Sequence, residues 1–200
     1  MLKQQRSLAK RAQKYWEKRD LAALEKLRDA PRASKVSEVQ YFIGLALNAL
    51  NQRRDAIECW RKARDLDPQN ENATRALAYE LLEQAPVNAA ELFYELYASQ
   101  QANADDLTCL GEIHVKQDRL GEARGWLERA IRLEPDNSLA LLAMATLYAQ
   151  VRDASLALDY LQKAAETDDV DLSDIASAPE FEFLWHDPRF KRIASANGHG

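Results

Sequence analysis

Ile43-Gly44, Ala56, Trp60, Ala63 and Pro68 recur as Leu110-Gly111, Ala123, Leu127, Ala130 and Pro135, the second set displaced from the first by 67 residues. A displacement close to twice 34 is the mark of stacked helix-turn-helix units with a less visible copy between them. Such a unit leaves an apolar face that only its neighbours can cover, so chain length counts repeats rather than closed domains. Composition agrees: Ala, Leu, Glu, Arg and Gln dominate, and 200 residues hold only 6 Gly and 6 Pro. That balance favours helices joined by short turns, and the expected fold class is all-α.

The register extends to four units. In 37–70, Ile43-Gly44 and Leu47 lie on the first helix and Ala56, Trp60 and Ala63 on the second, with Gln40 at the opening aromatic site. Unit 71–103 carries Leu77-Ala78, Leu81, Ala89, Phe93 and Leu96, provided one residue is deleted in the turn near Pro86. Unit 104–137 carries Leu107, Leu110-Gly111 and His114, and unit 138–171 carries Leu141, Met144-Ala145, Tyr148, Ala157, Leu161 and Ala164, with Asp169 in place of the closing Pro. Small residues at Gly44, Ala78, Gly111 and Ala145 let paired helices approach, while Trp60, Phe93, Leu127 and Leu161 fill the layer. Asn70, Asn103 and Asn137 end successive units, with Asp171 at the fourth position, and short polar side chains there are expected to cap the following helix. Ser37 and Gln40 have capping-box spacing.

These residues resemble the tetratricopeptide repeat of bacterial proteins, whose pattern runs W-x2-L-G-x2-Y, A-x3-F, P. The resemblance implies a right-handed α-solenoid with a divergent helical pair at 1–36 and a capping segment at 172–200. The run Asp187-Pro188-Arg189-Phe190 is similar to a closing segment of that family, with Phe181, Leu184 and Phe190 placed to cover the last repeat. It also implies that the first helices face a concave groove. The register then assigns peptide contacts to Tyr41, Leu45, Asn48, Asn72, Arg75, Tyr79 and Leu82, followed by Thr108, Glu112, Leu142, Thr146 and Gln150. The expected role is a non-catalytic interaction scaffold, adaptor or chaperone holding a partner protein's peptide or helix.

Charge is polarised. Residues 1–36 hold 11 Lys/Arg against 4 Asp/Glu, about +7, and the rest carries about −12. The alternative reading is an assembly protein that self-associates, or meets an anionic surface, through this basic N-terminal helix; nucleic acid is the less expected partner. No stretch approaches the roughly 18 apolar residues of a membrane span, and Cys59 and Cys109 fall on different units as reduced thiols, so a cytoplasmic location is expected. His114, His186 and His199 are the only imidazoles, and no phosphate loop, dinucleotide fingerprint or paired-Cys zinc spacing is present. No catalytic residue, cofactor or metal ligand is expected; His114 reads as a packing residue.

Overall fold

The computed structural model describes residues 2–28, 30–167, 175 and 177–196, and every regular element among them is a helix. Asp169, Asp171 and His199 lie outside the described residues. The chain forms two compact units, Met1–Gln101 and Ala102–Gly200. The first holds α1 (Leu2–Glu17), α2 (Leu21–Arg28), a 3-10 turn at Ala33–Lys35, α3 (Ser37–Ala49), α4 (Arg53–Leu66), α5 (Glu71–Leu81) and α6 (Pro86–Ala98). The second holds α7 (Ala104–Lys116), α8 (Leu120–Leu133), α9 (Ser138–Gln150), α10 (Ala154–Ala165), a 3-10 stretch at Pro179–Leu184 and α11 (Pro188–Ala196).

Helix crossings explain the small residues. A Cβ on Gly44 would fall into the Trp60 indole, 2.6 Å from Cδ1, and one on Gly111 would sit 2.6 Å from Leu127 Cγ. Trp60 is 1% exposed, and its Nε1 donates to the Tyr41 carbonyl at 3.2 Å, so the crossing is both filled and hydrogen-bonded. Ala78 and Ala145 are fully buried, as are Phe93 and Leu161.

Most turns within helix pairs share one solution. Arg19, Asn51, Asp118 and Arg152 take left-handed backbone angles between the two helices of their pairs. Asn51 N donates to Asn48 O and Gln52 N to Leu47 O; Asp118 and Arg119 repeat these bonds to Val115 and His114. Such a residue terminates a helix by satisfying its last carbonyls. The α5–α6 connection departs from this pattern. The expected deletion does not shorten that turn, which spans residues 82–85; α5 itself has 11 residues where α3, α7 and α9 have 13. Pro86 at the start of α6 disfavours helical angles at the residue before it, and Ala85 is accordingly at φ −149°.

Asn70, Asn103 and Asn137 accept hydrogen bonds from Ala73, Asp106 and Ala140 N–H groups, and Asp106 returns a bond to complete a capping box at Asn103. Two of the amides also donate backwards: Asn70 Nδ2 to Ser37 Oγ and Asn137 Nδ2 to Asp105 Oδ1, each at 2.7 Å. The expected capping box at Ser37 is corrected. Ser37 is already helical, Val36 is the cap residue without a side-chain bond, and the Ser37 hydroxyl is drawn to Ala63 O at 2.7 Å. Gln40 is 2% exposed and its Nε2 has no partner among the described residues.

In the second unit, Ile175, Phe181, Leu184, Phe190 and Ile193 bury themselves against Ala157, Leu158 and Leu161. Asp187 Oδ1 accepts from the N–H groups of Arg189 (2.6 Å) and Phe190 (3.4 Å), with Pro188 in the first position of α11. Arg189 in turn pairs with Asp159 on α10 at 2.7 Å. The Asp-Pro-Arg-Phe run is thus a helix start followed by a clasp.

Candidate protein-binding surfaces

In the first unit, α3 and α5 carry the register-assigned residues Tyr41, Leu45, Asn48, Asn72, Arg75 and Tyr79, and Leu82 follows α5. Asn48 and Asn72 are exposed, Leu45 and Leu82 are half-buried, and Tyr79 keeps 37% of its surface open while its ring meets Phe93 edge-on at 5.4 Å. Tyr41 is half-buried beside Phe42, and burial pushes its phenol above the ordinary range while the Arg75 charge pulls it back. Arg75 does not hang free: its Nη2 donates to Gln101 O at 2.6 Å, tying the segment after α6 to α5. This wall presents aromatic and aliphatic surface with amides at its margin.

In the second unit, Glu112 and Gln150 are exposed and Leu142 and Thr146 are half-buried. Thr108 does not join them. It is 2% exposed, and its hydroxyl donates to Ala104 O at 2.9 Å, so both its surface and its donor are consumed inside the fold. The spacing identified the correct helix, but a threonine that bonds back one turn loses its polarity and is buried like a valine.

A feature the register missed lies where α9 ends. Gln150 and Arg152 face Glu180, Glu182, Phe183, Trp185 and His186 of the closing segment across a cleft of about 570 Å³. The Arg152 guanidinium sits 5.4 Å from the Phe183 ring centre. The aromatic run from Phe181 to Phe190 was the available signal: Phe181, Leu184 and Phe190 are buried in the cap, while Phe183 and Trp185 pack against the same core but stay half-buried and also line the cleft. On the N-terminal helix, Lys3, Arg6, Lys10, Arg11 and Lys14 are exposed, as is Lys18 just after it. Arg11 lies over Tyr15 at 5.7 Å, and Arg19 over Trp16 at 4.8 Å.

The titratable groups offer little for bond chemistry. His114 is buried, and burial first and the Arg119 charge second hold its pKa below the ordinary value. Burial raises the Cys59 thiol, leaving less of the reactive thiolate, and both cysteines are unbridged. Among the described residues no group of three or more His, Cys, Asp or Glu is placed to hold a metal, and no helix is long and apolar enough to cross a membrane.

Comparison with known proteins agrees with this architecture. A family model described as tetratricopeptide repeat matches residues 37–70 and 110–137. No curated protein matches the sequence. Among solved structures, PilW, described as a widely conserved type IV pilus biogenesis factor, has a TM-score of 0.76 at 16% identity, covering 94% of this chain and 90% of its own. MamA from Desulfovibrio magneticus RS-1 gives 0.70 at 20% identity over 82% of this chain and 94% of its own. YrrB, described as a TPR protein with an unusual peptide-binding site, gives 0.63 at 17% identity over 86% and 88%.

Proposed function

We propose that this chain, a member of the tetratricopeptide-repeat family, is a non-catalytic adaptor or chaperone that holds a peptide or helix of a partner protein on the inner walls of its units. The carrying observation is the exposed part of Tyr79, braced by Phe93, in the same unit as half-buried Tyr41 and Leu45. Rigid aromatic surface of this kind binds with little ordering cost, and amides such as Asn48 and Asn72 are suited to the backbone of an extended segment. Glu112, Leu142, Thr146 and Gln150 offer a second, more acidic wall. No cofactor or metal enters this reading. The unbridged, buried cysteines support a reducing, cytoplasmic setting.

The test is capture of partner proteins from native extract by the full chain and by a Tyr79→Ala/Leu142→Ala variant of equal helicity. Partners retained by the first and lost by the second, identified by mass spectrometry, support the reading; undiminished capture rejects it.

A second reading is favoured by the exposed cations of α1: self-association, or contact with an anionic surface, through that helix. Charge contacts of this kind weaken as salt screens them. Sedimentation at low and high salt is expected to show a larger species only at low salt, and a monomer at both would exclude self-association.

A further inference from the structure

The cleft between the end of α9 and the closing segment holds two carboxylates, Glu180 and Glu182, that make no ion pair among the described residues. Beside them stand the half-buried rings of Phe183 and Trp185. One of these rings already hosts a cation: Arg152 lies 5.4 Å from the centre of Phe183 and pairs with no carboxylate among the described residues. Aromatic faces attract ammonium and guanidinium groups, and a nearby carboxylate strengthens the attraction. The unit's residues 102–200 hold 10 Lys/Arg against 18 Asp/Glu, so the surrounding field also favours positive charge.

We infer that this cleft receives a lysine or arginine side chain of a basic partner segment, which settles against the Phe183 and Trp185 faces and pairs with Glu180 and Glu182. The inference rests on the proposed protein-binding reading of the second unit and names the chemistry of what it binds. Gln150, which lines both that wall and this cleft, connects the two. Arg152 is then a resident competitor, occupying with its own guanidinium part of the surface the incoming cation needs.

The experiment measures fluorescence anisotropy of labelled, end-blocked tetra-arginine and tetra-glutamate peptides with the full chain. Tetra-arginine is expected to bind, and Glu180→Gln/Glu182→Gln to weaken it about fivefold or more, as the loss of two close charge contacts requires. Arg152→Gln is expected to tighten it about threefold by removing the competing charge. Asp118→Asn/Asp136→Asn removes the same charge outside the cleft and should leave affinity within about twofold. Melting curves exclude misfolded variants. Equal weakening by both double variants, no tetra-arginine binding, or preferential tetra-glutamate binding abolished by Arg152→Gln would each overturn the inference. Tetra-arginine affinity reads the cleft, whereas capture from extract by Tyr79→Ala/Leu142→Ala reads the groove, so failure of the groove and failure of the cleft are distinguished.

Discussion

The glycines of this chain separate by what a methyl group would strike. At Gly44 it meets the buried Trp60 indole, whose Nε1 is also bound to Tyr41 O, whereas at Gly125 it meets only the far end of Arg129 at 3.2 Å. Alanine gains about 1 kcal/mol over glycine in a helix interior, but overpacking costs about 1–3 kcal/mol. Gly44→Ala is therefore expected to lower unfolding stability by up to about 2 kcal/mol, and Gly125→Ala to raise it by about 0.5–1 kcal/mol, in urea titrations. A stabilised Gly44→Ala would mean that the crossing has room to spare. The asparagines show how far single residues can be read from sequence. Their position before each helix announced the capping oxygen at Asn70, Asn103 and Asn137. The donor half, bonded to Ser37 or Asp105 some thirty residues earlier, depends on packing and has no local signal.

Helices were legible because apolar spacing, small crossing residues and cap residues all point the same way. The turns were less so. Left-handed positions are usually announced by glycine, yet among the described residues they hold Arg19, Asn51, Gln100, Asp118 and Arg152. Left-handed backbone costs an ordinary residue about 1–2 kcal/mol, while glycine loses more entropy on folding by about 0.5–1 kcal/mol. Exposed Asp118, with φ 59°, provides the clean test: Asp118→Gly should stabilise the chain by about 0.5–1 kcal/mol, seen as a higher melting temperature. A lower melting temperature would show that the aspartate contributes more than its backbone angle costs. Arg152 is a poorer site for this test because its side chain is engaged with Phe183.

At the scale of the whole molecule, a repeat array must finish its ends, since each repeat's apolar face is otherwise left to water. The second unit does so with Phe181, 1% exposed, packed 6.0 Å from Phe190 and over Leu158 and Leu161. Phe181→Ala should cost about 3–5 kcal/mol by cavity formation. The loss should appear as faster amide exchange throughout α10 and α11; exchange confined to residues 179–196 would show that the segment merely rests on α10. The polarised charge of the chain was plain in the sequence. That Glu180 and Glu182 share a cleft with two aromatic rings was not.

The sequence by itself determined the repeat, its register, the helix starts and the small-to-large pairing at each crossing, because these follow from spacing within about 34 residues. Tertiary structure decided which assigned positions remain accessible. Thr108 sinks and bonds to Ala104, Ser37 leaves its expected cap for Ala63, and Arg75 becomes a tether for Gln101. Each outcome depends on a partner brought in by folding. Helical periodicity says which face a residue occupies, but only the packed neighbours determine whether that face meets solvent, backbone or an open cleft.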